Sequence, residues 1–109
     1  MRVNIGEPQD DGQQDVDVEI HPWDTWALDY TLALIIIPAL EQLRDGSQSY
    51  PDEFEDFDEW TEAIDKMINA FENTIKDDNS EIGFWTDERW KETKEGFALF
   101  GKHYSDLWM

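Results

Sequence analysis

The chain has 109 residues, with 27 Asp and Glu against 8 Lys and Arg and a formal net charge of -19. Such a surface carries a negative potential of several kT, which disfavours direct binding to nucleic acid or to an anionic membrane and favours basic protein partners. Cysteine is absent, which excludes disulfides and thiolate metal sites, while six Trp, six Phe and three Tyr supply a core and exclude a disordered chain.

Residues 1–109 have the length of a single domain. Residues 1–14 contain no apolar h-region, so no secretory leader is expected. Residues 1–22 read as a β-hairpin region. Arg2–Ile5 alternates, the polar stretch from Gly6 to Asp15 is a loop, and Val16, Val18 and Ile20 share one face of a second strand. A two-stranded ribbon needs helix packing to be stable.

The first helix is predicted over 24–43, with Asp24 or Thr25 as N-cap and Gly46 as the stop. Pro38 is expected to kink it or end it early. Its run from Leu32 to Leu40 is apolar almost all round, which marks it as the central element. The longest apolar run, Trp26 to Leu40, contains Asp29 and is too short to span a membrane, which takes about 20 residues. An acidic loop follows, rich in Asp52, Glu53, Glu55, Asp56 and Asp58. The second helix is predicted over 58–76, with Trp60, Ile64, Met67, Ile68, Phe71 and Ile75 on one face. The third is predicted over 86–108, with Trp90, Phe97, Phe100, Tyr104 and Leu107 as its stripe. Gly96 and Gly101 inside it permit close helix contact or mark a break. The expected fold is α+β, mostly α, with a short N-terminal β-hairpin packed on a three-helix core.

The acidity is concentrated in the first half: residues 1–63 hold 17 acids and two bases, and residues 64–109 hold ten acids and six bases. One reading is that the loop acids Asp52, Glu53, Glu55, Asp56 and Asp58 act as surrogate phosphates and occupy the basic groove of a nucleic-acid-binding protein. The other is a solvated face that keeps the protein soluble. No catalytic motif stands out, and neither a catalytic residue, a cofactor nor a metal is expected. Two weaker metal patterns are present. Glu59, Glu62 and Asp65 lie three residues apart on the second helix, with Glu72 further on, as in the Glu-x-x-Glu pairs with which all-α nucleotide hydrolases hold Mg²⁺. Asp77, Asn79, Glu81 and Glu88 approximate the ligand spacing of a calcium loop, but Ile82 stands where that loop needs glycine. Asp29, inside the apolar helix, is expected to be buried and paired with Lys102, His103 or Tyr104, as a structural link or as a pocket acid. Trp23, Trp26, Trp85, Trp90 and Trp108 exceed what a small core needs, so either some of them form an exposed patch that binds a partner or a second copy of the chain, or the small domain has a Trp-rich core.

Three blocks resemble a family of small proteins encoded by tailed bacteriophages. Asp24-Thr25-Trp26 through Gln42-Leu43 matches DTWxxDxTLAxIIxPxLxQL. Asp65 to Glu72 matches DxMIxAFE. Gly96 to Trp108 matches GFxLFGKYYxxLW, with His103 in place of a tyrosine. The resemblance covers about two-thirds of the chain, in order, and the link between its first two blocks is shorter here. It implies a phage genome and the cytoplasm of the infected bacterial host, and it implies no activity. The resulting expectation is an accessory protein that binds a host or phage protein, as an acidic inhibitor of a nucleic-acid-binding or defence protein. The alternatives are a Mg²⁺-dependent nucleotide hydrolase and a self-assembling structural protein.

Overall fold

The computed structural model describes residues 1–79 and 83–108, with Asp78 and Asn79 described by their backbone. Strands β1 (Arg2–Ile5) and β2 (Val16–Glu19) are followed by a 3₁₀ turn at Pro22–Thr25 and by helices α1 (Leu28–Gly46), α2 (Phe57–Asn79) and α3 (Asp87–Lys102). The expected class, α+β and mostly α with an N-terminal hairpin and three helices, is observed. Among the described residues, no helix is long and apolar enough to cross a membrane.

The hairpin is antiparallel, with Val3 opposite Val18 and Ile5 opposite Val16. Its apolar side chains therefore share one face, because alternate residues point the same way. Arg2 on the other face pairs with Asp17 at 3.0 Å and Glu19 at 3.1 Å. Val3, Ile5, Val16 and Val18 remain 43–65% exposed, so the ribbon is tethered to the helices more than it is buried by them. The tether is the α-ammonium of Met1, 2.9 Å from the Asp24 carboxylate.

Helix α1 starts at Leu28, later than expected, because Asp24 caps backwards. Its carboxylate accepts the His21 N–H at 2.8 Å and so belongs to the 3₁₀ turn. That hydrogen bond, followed by the Met1 ammonium, holds the Asp24 carboxyl below its ordinary value of 3.8. A carboxylate with a depressed pKa stabilises the folded state above the unfolded pKa, and this contribution is lost as pH falls through the folded pKa. In thermal melts from neutral pH to pH ~3, Asp24→Asn is expected to be less stable than the parent at neutral pH and to show a shallower acid loss. Parallel curves would overturn this assignment.

Pro38 does not end α1 early; the helix runs on to Gly46. Proline removes its own N–H and frees the carbonyl four residues earlier. That carbonyl belongs to Leu34, and both Leu34 and Pro38 lie on the exposed flank, where water can satisfy it.

The central element is α2, not α1. Trp60, Ala63, Ile64, Met67, Ile68 and Ala70 of α2 are buried, whereas α1 buries only Ala33 and Leu40. Helix α2 packs against both α1 and α3, so the helix with one clean apolar stripe has neighbours along that stripe. The more apolar α1 has neighbours on one side only. Each fully buried Ile or Met of α2 contributes roughly 1.5–3 kcal/mol.

Helix α3 ends at Lys102, where His103 leaves helical geometry (φ -102°, ψ 14°) and a 3₁₀ turn, Tyr104–Asp106, follows. Only part of the expected stripe is turned inward: Phe100 and Leu107 pack against the core, whereas Trp90 is 52%, Phe97 40% and Tyr104 67% exposed. The fully buried residues at this end are Thr93, Gly96 and His103. Gly96 brings the α3 backbone against Lys66 and Ala70 of α2, and Asn73 donates to Thr93 Oγ1 at 3.0 Å across the same contact. Phe71 fills the edge of this joint, edge-on to Phe97 and Phe100 at 5.1 and 5.0 Å.

Candidate acidic interface

The segment between α1 and α2 alternates anchors and acids. Phe54 packs on Trp60 at 5.2 Å and on His103 at 5.0 Å, and Phe57 meets Tyr50 edge-on at 5.5 Å. With Phe54 and Phe57 tucked in, Asp52, Glu53, Glu55, Asp56 and Asp58 are all exposed. The backbone beneath them is tied down. The Phe54 N–H donates to Pro51 O at 3.0 Å, the Glu55 N–H to Glu59 Oε2 at 2.7 Å, and the Glu59 N–H to Asp56 Oδ1 at 2.9 Å. Asp56 and Glu59 thus cap the α2 N-terminus, where the helix dipole favours negative charge.

The ledge is held to the end of α3 by His103, whose side chain is 1% exposed. Its Nδ1 lies 3.1 Å from Asp106 Oδ2 and 3.3 Å from Glu53 Oε1, while Lys102 Nζ lies 3.1 Å from Glu53 Oε2. Among the described residues, Glu53, His103 and Asp106 also bring three donor atoms within 4.8 Å of one another, close enough to share a metal ion. The same atoms satisfy each other as an ion-paired cluster whenever the imidazole is protonated. The spacing in sequence concealed this cluster, since Glu53 and His103 are fifty positions apart.

Beside the cluster opens a cleft of about 460 Å³. Tyr50, Trp60 and Trp108 supply its aromatic walls, and Asp52, Glu53 and Asp106 supply carboxylates. Carboxylates beside aromatic faces suit a guanidinium or ammonium, which can combine charge-assisted hydrogen bonds with a cation–π contact.

The other expected sites fare differently. Glu59 is occupied as a cap, and Asp65 is bound to Arg44 Nη1 at 2.9 Å. Asp45 first and Asp65 second keep the Arg44 guanidinium firmly protonated. Glu62 is exposed over Lys66 and Glu95, themselves an ion pair at 3.1 Å, and Glu72 is half-buried further along α2. Glu59, Glu62, Asp65 and Glu72 are therefore not gathered around one point. Of the calcium pattern, Asp77 and Asn79 lie within α2, which runs three residues past its expected end, and Glu88 lies in the first turn of α3. The Asn79 side chain and Glu81 fall outside the described residues. Asp29 is exposed in the first turn of α1, not buried, and its expected pairing with Lys102, His103 or Tyr104 is not formed: those residues pair elsewhere or face solvent. Of the tryptophans, Trp60 is buried, whereas Trp23, Trp26, Trp90 and Trp108 are 52–82% exposed. Trp85 is half-buried, edge-on to Phe84 and Trp90.

Comparison of the chain with protein-family models, with curated proteins and with solved structures yields no match.

Proposed function

We propose that the protein is an acidic binding module that docks its 52–58 ledge onto the basic surface of a nucleic-acid-binding protein and blocks that surface. The observation that carries this reading is the arrangement of the ledge: five exposed carboxylates on a backbone fixed by Phe54, Phe57 and a doubly capped helix start, beside a cleft fitted to a cationic side chain. A phosphate mimic needs dense negative charge on a frame that is already ordered, since ordering a flexible loop on binding costs affinity. The phage resemblance of the sequence would place such a partner in the infected bacterial host.

The test is capture from bacterial lysate at low and moderate salt. The parent protein is expected to retain a basic nucleic-acid-binding protein, to release it when duplex DNA is added, and to lose it as salt rises. The variant Asp52→Asn, Glu53→Gln, Glu55→Gln, Asp56→Asn, Asp58→Asn is expected to lose capture. Unchanged capture by that variant, or indifference to DNA, would overturn the reading.

A further inference from the structure

Helix α1 exposes more apolar surface than a lone chain should. Leu28, Leu32 and Ile35 are 42%, 43% and 39% exposed, and Ala39 and Gln42 are exposed as well. Their spacing of 4, 3, 4 and 3 places all five on one line along the helix, the repeat of a seam between two packed helices. Ile35, Ala39 and Gln42 also form one wall of an apolar groove of about 380 Å³, whose far wall is Phe100 and Leu107. From Tyr30 to Leu40 there is no charged residue.

The dimensions of the chain agree with an uncovered face. Its accessible surface is 7933 Å², whereas a folded monomer of 12.9 kDa is expected to expose about 6,300 Å². The excess is roughly 1,600 Å², and a standard interface takes about 800 Å² from each partner. The radius of gyration is 16.0 Å and the thinnest dimension 19 Å, against a radius of about 13 Å for a compact domain of this length.

We propose that a second copy of this chain covers the seam, with the α1 helices crossing about a two-fold axis and each lying along the other's groove. The charge pattern selects a second copy over a basic partner. A basic surface would set unpaired cations against a charge-free strip, whereas a second copy brings the same strip. On a chain of net charge -19, this strip is where two copies can meet with few carboxylates face to face. The inference does not rest on the acidic ledge, and its salt response is opposite. Screening relieves repulsion between two acidic chains and tightens the dimer, while it weakens capture of a basic partner.

Light scattering on a sizing column decides it. The parent is expected to run at twice 12.9 kDa, more completely as salt is added, and the ledge variant with five neutralised acids is expected to remain dimeric. Leu32→Asp with Ile35→Asp is expected to halve the mass while keeping helical circular dichroism, since both side chains are exposed in the single chain. Because the chain has no cysteine, Ile35→Cys provides a second reading that does not depend on how that double variant folds. A short bis-maleimide is expected to link Ile35→Cys into dimers and to leave Lys91→Cys, on exposed α3, unlinked. Three outcomes would overturn the proposal: a parent of 12.9 kDa at every concentration and salt, which would leave the seam to a different protein; a dimer that survives the double substitution; and no selective linkage at position 35.

Discussion

Gly96→Ala is expected to destabilise the protein by about 2 kcal/mol or more, lowering the melting temperature by roughly 10 °C. In an isolated helix the same change is favourable by about 1 kcal/mol, because alanine restricts the unfolded chain and glycine does not. The sign reverses here because a Cβ at 96 would fall on the Lys66 carbonyl oxygen of α2 and within 2.6 Å of the Ala70 Cβ. The first obstacle is backbone, which has no rotamer with which to yield, so the two helices must move apart. Separation would also loosen the Asn73–Thr93 hydrogen bond, whose members are 5% and 2% exposed, and a buried polar group that loses its partner costs about 1–3 kcal/mol. Gly101, five residues on in the same helix, is the control. A Cβ there meets nothing within 4 Å, and Gly101→Ala is expected to stabilise by about 0.5 kcal/mol. Thermal melts of the two single variants check the pair, and shifts of the same sign would overturn this account of the α2–α3 joint.

The contrast between these glycines shows where the sequence was legible. Periodicity marked α2 correctly, because Trp60, Ile64, Met67 and Ile68 are large residues whose only stable place is a core. It read α3 only in part: Gly96 was a candidate for the close helix contact it makes, but the aromatic stripe was placed inward as a whole. Gly96 and Thr93 are inward while Trp90 and Tyr104 face water, and hydropathy does not register a close backbone approach. Helix α1 was misread for the opposite reason. Leu32 to Leu40 is apolar all round, which indicates burial, but nothing in one chain's sequence says whether the covering surface belongs to that chain. The acid ledge was visible as composition. Its rigidity was not, because it depends on Phe54 meeting His103 at 5.0 Å across the fold. Asp29 was expected to be buried from its apolar neighbours alone, but it lies in the first turn of a helix that is covered on one side only.

Phe54→Ala is the second large expected effect, and it separates rigid presentation of the acids from mere charge. The substitution leaves every carboxylate and the net charge of -19 in place. It removes the ring that sits 5.2 Å from Trp60 and 5.0 Å from His103 and joins the ledge to the core. A buried Phe→Ala change costs about 3–5 kcal/mol, and the half-buried Phe54 is expected to cost about 2 kcal/mol. The larger effect should be on binding. Each side chain that must be ordered at the moment of docking costs about 0.5–1.5 kcal/mol, so freeing the 52–56 segment is expected to weaken capture of a basic partner roughly tenfold or more. The salt dependence should change little, because it counts the charges that are neutralised. The ledge variant differs in kind: it changes the charge count and so flattens the salt dependence itself. If Phe54→Ala captured the partner as well as the parent does, the acids would act by number alone and the fixed frame would have no part in recognition. A tenfold loss with a preserved salt slope would make Phe54, an apolar residue between the acids, as necessary to an acidic interface as the carboxylates on either side of it.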